Sequence, residues 1–202
     1  MKKIFILILM SACLNLAGQT EKRINGIRLE TGFLFHWNTL NTDHYIDYVS
    51  PSGPNSASGL TGADLRIVFP TKFMNLDLIA GTLFEKCWDS YLTSSHNYSM
   101  NGGGVYAGIS PCIKTKNFGF TSLFAIGMLS YKEYFYYAPD SNLSSIIERK
   151  KYSSGPGAIS SLGIYGRIGP VGVHPQLQAV FSGGSNASFL FYGFILPLTV
   201  QF

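Results

Sequence analysis

From Gly26 onward the sequence alternates with a period of two. In "GIRLETGFLFHW", Ile27, Leu29, Thr31, Phe33, Phe35 and Trp37 share one face, while Arg28, Glu30, Gly32, Leu34 and His36 share the other. Successive side chains of a strand point to opposite faces, so alternation of this length predicts a β-strand. The texture returns in "LTGADLRIVF", "NLDLIAGTLFEKCW", "GVYAGISPCI", "FGFTSLFAIGMLSY", "ISSLGIYGRI", "VGVHPQLQAVF" and "SFLFYGFILPLTVQF". These segments predict about eight strands, mostly of about 10 to 14 residues. Each keeps one apolar face and one mixed face.

The mixed face takes the charges. Arg28, Glu30, Asp64, Arg66, Asp77, Glu85 and Arg167 all lie opposite the apolar stripe of their segments. Lys86 breaks this parity, but it stands at a segment end, where it can reach water or anionic head groups. Only 13% of the chain is charged, against about a quarter in an average soluble domain, and Tyr and Phe number 12 and 15. An outward apolar face of this kind suits lipid, where an Arg or Lys at mid-membrane costs about 2–4 kcal/mol.

The first residues read as an export signal, with a basic "MKK", an apolar "IFILILMSACLNLA" and a small-residue exit "AGQT". We place the leader at residues 1–19 and one domain at 20–202. A competing reading makes "MSAC" a lipoprotein site with Cys13 lipidated. Beyond the leader no apolar run reaches the 18 residues that mark a spanning helix. Without Lys2 and Lys3 the chain has 13 basic and 11 acidic side chains. No basic cluster interleaved with aromatics appears, so nucleic acid is not an expected partner.

The connections differ systematically. "PTKFMN", "KTKN" and "GPVG" are tight, whereas "NTLNTDHYIDYVSPSGPNSAS", "DSYLTSSHNYSMNG" and "APDSNLSSIIERKKYSSGPG" are long and polar. Trp37, Trp88 and the run Tyr131 to Tyr137 mark the long-loop ends; Phe69, Phe73, Phe118 and Phe202 mark the short-turn ends. Short turns on one side, long loops on the other and two aromatic girdles are the pattern of strands that cross a membrane.

In these respects the chain, from about Gly26 to Phe202, resembles the small outer-membrane β-barrel proteins of Gram-negative bacteria. The most specific element is the last strand, where Tyr192, Phe194, Leu196, Leu198, Val200 and Phe202 repeat at every second position and end on Phe. The resemblance implies an all-β, closed antiparallel transmembrane barrel of about eight strands in the outer membrane. It also implies an assembly signal at Phe194, Leu196, Leu198, Val200 and Phe202 that is read by the assembly machinery. Pro197 departs from the pattern, and Pro111 and Pro175 interrupt their own strands. Each predicts a strand end, a bulge or a locally broken pair.

Eight strands enclose a space that side chains fill. The interior charges Arg28, Glu30, Asp64, Arg66, Asp77 and Glu85 are therefore expected to form a self-satisfying network, with Glu30, Arg66 and Asp77 opposite one another. A narrow polar pore or small-ligand site is the alternative. Cys87 and Cys112 fall near opposite ends of neighbouring strands, too far apart for a bridge. We expect no catalytic, cofactor or metal residues. Asp43, His44 and Asp47 share a loop without a second shell, and His96 with Ser99 sits in a loop with no acid to orient it. The expected role is non-enzymatic: structural or surface-interacting, with an accessory part in an envelope or secretion system as one form of it. Partners would be outer-membrane lipid and lipopolysaccharide, and a protein at the extracellular loops. Alternatives are an outer-leaflet lipid deacylase or acyltransferase, and a narrow channel or small-ligand transporter.

Overall fold

A computed structural model of the chain describes residues 26–38, 59–71, 75–87, 92–93, 96–114, 118–137, 147–168, 171–184 and 187–201. The expected leader, Cys13, the Asp43–His44–Asp47 loop, Phe73, Trp88 and Phe202 lie outside the described residues. The strands are β1 (Arg28–Asn38), β2 (Gly59–Pro70), β3 (Leu76–Cys87), β4 (Leu92–Thr93), β5 (His96–Lys114), β6 (Phe118–Tyr137), β7 (Ile147–Ile168), β8 (Val171–Val173), β9 (Gln176–Ser182) and β10 (Phe189–Gln201).

All pairings are antiparallel and follow the chain, and β10 pairs back onto β1, so the sheet forms a ring. Strands β8 and β9 keep one register against β7 and one against β10, so they are two halves of a single strand interrupted at His174 and Pro175. Strand β4 is a two-residue hairpin partner of β5. The ring therefore has eight principal strands.

Its stagger can be read from the registers. One row runs from Asn38 through Phe191, Val180, Ile159, Ala125, Gly108, Ile79 and Val68 and returns to β1 at Arg28. A circuit thus moves ten residues along β1, from position 38 to position 28. With about 3.3 Å per residue and about 4.8 Å between strands, that shear tilts the strands by about 40°.

Burial follows the period-two pattern. Phe33, Ile126, Leu162 and Phe84 are 74%, 75%, 65% and 61% exposed and belong to one continuous outward face. Inside lie Leu34, Leu60, Leu83, Leu123, Leu129, Ile159 and Ile195 together with the buried polar residues. On β6 the outward apolar side chains run from Phe118 to Met128. At the tilt above they span about 25 Å, the height of the apolar band on a membrane barrel.

Two expectations are corrected. Residues from His96 and from Ile147 were expected in long loops, yet they are strand, and β5, β6 and β7 reach 19, 20 and 22 residues. "ERKK" is therefore ladder-paired to β6 rather than a loop segment, although Glu148 and Lys150 are exposed as expected. His96 and Ser99 likewise belong to β5. Beyond the apolar band the outward side chains turn polar while inward ones such as Met100, Tyr131 and Ser153 stay buried, so the apolar stripe that reveals a strand lapses there.

Pro175 and Pro197 share one defect. Pro175 stands in the gap between β8 and β9, and the register places Pro197 opposite His174 in that gap. His174 N–H donates to the Pro197 carbonyl at 2.9 Å, and Ile164 N–H to that of Pro175 at 3.1 Å. On β5 the ladder to β6 skips Ser110 and Pro111, and the Ser122 hydroxyl donates to the Pro111 carbonyl at 3.1 Å.

Candidate functional site

The interior is lined by the odd-numbered residues of β3, β6, β7 and β10 and the even-numbered residues of β1, β2, β5 and β9. All six charges expected inside are buried: Arg28, Glu30, Asp64, Arg66, Asp77 and Glu85 are each no more than 6% exposed. They form three groups stacked along the ring axis.

The middle group centres on Arg66. Its Nε donates to Asp64 Oδ2 at 2.8 Å and lies 3.0 Å from the Tyr106 hydroxyl, which itself donates to Asp64 Oδ1 at 2.6 Å. Its Nη1 donates to Gln176 Oε1 at 3.2 Å, and the Ser161 hydroxyl donates to the same oxygen at 2.8 Å. Nη2 stands 2.7 Å from Asp64 Oδ2, an ion-pair contact without hydrogen-bond alignment. A buried guanidinium requires a set of this kind, because desolvation must be met by both charge and hydrogen bonds.

At the short-turn end Arg28 pairs with Asp77. Glu30 accepts from the Thr199 hydroxyl at 3.3 Å, and His174 Nδ1 lies 3.7 Å from the same carboxylate. His174 Nε2 lies 3.1 Å from the Thr199 hydroxyl, and its ring packs edge-on to Tyr165 at 4.5 Å. A cavity of about 10 Å³ lies between Arg28, Glu30, Arg66, Asp77 and His174. That is room for about one water.

At the long-loop end His36 Nδ1 bonds Glu85, and Tyr131 donates to Glu85 Oε2 at 3.1 Å. Tyr131 packs against Phe191 at 4.6 Å and Phe189 at 6.3 Å, sealing this end among described residues. Space for the large rings comes from glycine. A Cβ on Gly102 would stand 2.2 Å from the Tyr131 ring, and one on Gly193 would stand 1.8 Å from the Phe35 carbonyl and 2.6 Å from His36.

The expected row of Glu30, Arg66 and Asp77 is corrected in part. Glu30 does face Arg66 across β1 and β2, but Asp77 faces Pro70. Asp77 instead reaches past β2 to Arg28. Tyr131, expected in the outer aromatic girdle, points inward and is fully buried. Tyr106 lies inside, on the face opposite the apolar stripe of its segment, whereas sequence reasoning missed Gln176, Gln178 and Thr199 as interior polar residues. Their parity within each strand was a usable signal. Gln178 is 3% exposed and its amide has no partner among described residues, and neither has His36 Nε2.

Cys87 and Cys112 are both buried and carry no disulfide; the Cys112 thiol donates to the Asn75 carbonyl at 3.3 Å. Among the described residues no three His, Cys, Asp or Glu side chains are grouped to hold a metal. Of the C-terminal series, Tyr192, Phe194, Leu196 and Leu198 face outward at 38–53% exposure. Val200 lies in β10, and Phe202 is outside the described residues.

No protein-family model and no curated protein matches the sequence. Among solved structures, the chain is similar to Ail, the attachment invasion locus protein of Yersinia pestis. The TM-score is 0.55 at 11% identity, over 87% of this chain and 99% of that one. Ail in complex with the heparin analogue sucrose octasulfate aligns with TM-score 0.54 at 8% identity, over the same 87% and 99%. The N-terminal β-barrel domain of Pseudomonas aeruginosa OprF aligns with TM-score 0.40 at 11% identity, over 87% and 97%. At these identities the likeness to Ail concerns the fold: an antiparallel ring of strands of the Ail kind.

Proposed function

We propose that the chain is a non-enzymatic integral outer-membrane protein, a barrel closed between β1 and β10, with a structural or surface-interaction role. The observation that carries this is the pairing of two faces in one ring. The outward face exposes a continuous apolar band of about 25 Å, while the inward face is packed with paired charges and aromatic rings. The outward face suits lipid, and among the described residues the inward side chains fill the interior.

The same packing argues against chemistry inside. His36 with Glu85 and His174 with Glu30 are both base–acid pairs of the sort that orients a catalytic imidazole. Both histidines are at most 2% exposed among the described residues, which supports a structural role for the two pairs. Surface interaction then belongs to the part of β5, β6 and β7 that rises beyond the apolar band. The likeness to Ail, whose name denotes attachment and which has been crystallised with a heparin analogue, supports an anionic surface partner. The leader at 1–19 and the assembly signal ending on Phe202 complete this reading.

Fractionation tests it. The chain should sediment with outer membranes and migrate differently unheated than boiled. Recovery as a soluble periplasmic protein would refute the membrane reading. Gene-dependent change in lipid A acyl chains would replace the non-enzymatic role with a lipid-modifying one. Stepwise conductance in planar bilayers would replace it with a channel.

A further inference from the structure

The outward face carries few charges, and they are not scattered. Among the described residues it holds Lys86 on β3, Lys132 on β6, and Glu148 and Lys150 on β7, all towards the long-loop end. The registers bring the lysines together. One row runs Lys86, Asn101, Lys132, Tyr152, and the next pair on β6 and β7 is Tyr134 with Lys150. Lys132 and Lys150 are thus diagonal neighbours, about 7–8 Å apart at Cα. Lys86 lies two strand spacings from Lys132, about 10 Å.

The depth of this group limits what it can meet. Lys86 stands two residues beyond Phe84, and Lys132 four residues beyond Met128, the last exposed apolar side chains of their strands. At a tilt of about 40° these steps place Lys86 and Lys132 about 5–10 Å above the apolar band, and Lys150, six residues beyond Pro156 (the β7 partner of Met128), about 15 Å above it. Lys86 and Lys132 thus lie at the headgroup layer of the leaflet next to the long loops, and Lys150 stands just above it. The lysines point sideways, on the face that continues the lipid-contact surface, rather than upward into the medium.

The group is also organised. The Lys150 ammonium lies 5.5 Å from the centre of the Tyr134 ring and 2.7 Å from Glu148, which holds it above the ordinary lysine range. Tyr152 stands beside Lys132 and is 47% exposed. Two ammoniums at diagonal spacing, flanked by phenols, can share one phosphate, and the third lysine can reach another.

We propose that Lys86, Lys132 and Lys150 form a lateral binding site for the phosphates of the outer-leaflet glycolipid, with Tyr134 and Tyr152 as its walls. This deepens the reading above and rests on the chain spanning the outer membrane. Glu148 occupies Lys150 when no lipid is bound and gives way to phosphate.

The test uses the full mature chain, refolded in maltoside micelles and verified for each variant by its heat-dependent gel shift. The probes are lipopolysaccharide and the same lipopolysaccharide stripped of phosphate. Intact lipopolysaccharide should bind the wild type more tightly than the stripped form. Lys132→Gln/Lys150→Gln should weaken binding of the intact form by roughly 25-fold and remove the preference. Glu148→Gln should strengthen it, and Lys151→Gln, on the opposite face, should leave it unchanged. Equal binding of both probes, or a double variant that binds like the wild type, would overturn the site. Full competition by millimolar inorganic phosphate would overturn the glycolipid as its source. A heat-modifiable barrel that is blind to phosphate would sink this inference alone, whereas a chain that never forms such a barrel would sink the membrane reading with it.

Discussion

Asp77 and Arg28 sit on strands that do not touch, with β2 between them, and still form the ion pair that closes the short-turn end. Removing Arg28 leaves the Asp77 carboxylate buried without its guanidinium. Arg28→Met should therefore cost about 3–5 kcal/mol, measured by urea unfolding in lipid vesicles. Arg28→Met/Asp77→Leu should recover most of the loss, since replacing both charges with apolar side chains removes the desolvation penalty. Sequence parity identified which residues face inward, because the face is set by position alone. It could not assign partners. Arg66 illustrates why: Glu30 is its neighbour by register, yet its guanidinium bonds Asp64 two residues away on its own strand and Gln176 from β9. A long side chain in a narrow interior reaches several acids, and which one it takes depends on shape. Gly102→Val tests that shape. Its Cβ would fall 2.5 Å from the Ser130 carbonyl as well as on the Tyr131 ring, so the variant should fail to give a heat-modifiable form.

Strand existence was legible because within the band one face of each strand is mostly apolar. The upper parts of β5 and β7 were not, since in "HNYSMNG" and "IERKKYSS" the outward side chains are polar or charged and the buried inward ones include Ser153 as well as Met100, so no apolar stripe marks the strand. The gap between β8 and β9 was anticipated only as a proline defect, and its alignment with Pro197 needed the register. In an antiparallel strand the N–H and C=O of one residue point to the same side. Pro197 accepts from His174, so its missing donor faces the His174 carbonyl; Pro175 accepts from Ile164, so its missing donor faces the Ile164 carbonyl. The defect lies within five residues of the end of β10, near the short-turn interface, where water can serve those carbonyls. Pro175→Val should restore one ladder bond and join β8 to β9. Amide exchange at 173–176 should slow, and stability should rise by about 0.5–1.5 kcal/mol.

For the whole molecule, eight strands, their antiparallel order and the sorting of short turns from long loops were all readable, since each is a local pattern repeated along the chain. The stagger was not, because it is the sum of every register around the ring. It is also what fixes the tilt, and with it the height of the apolar band and the depth of the outward lysines. Everything proposed for this protein depends on β10 meeting β1. Phe33 and Leu196 face each other across that seam on the outward surface. Their Cα atoms should lie about 5.5 Å apart, within disulfide range. With Cys87 and Cys112 replaced by Ala, Phe33→Cys/Leu196→Cys should cross-link on mild oxidation of outer membranes and shift the boiled, unreduced band. Phe33→Cys/Phe124→Cys, with Phe124 on the far wall, should not. Absence of the seam cross-link in folded protein, or equal cross-linking of both pairs, would contradict the closed ring.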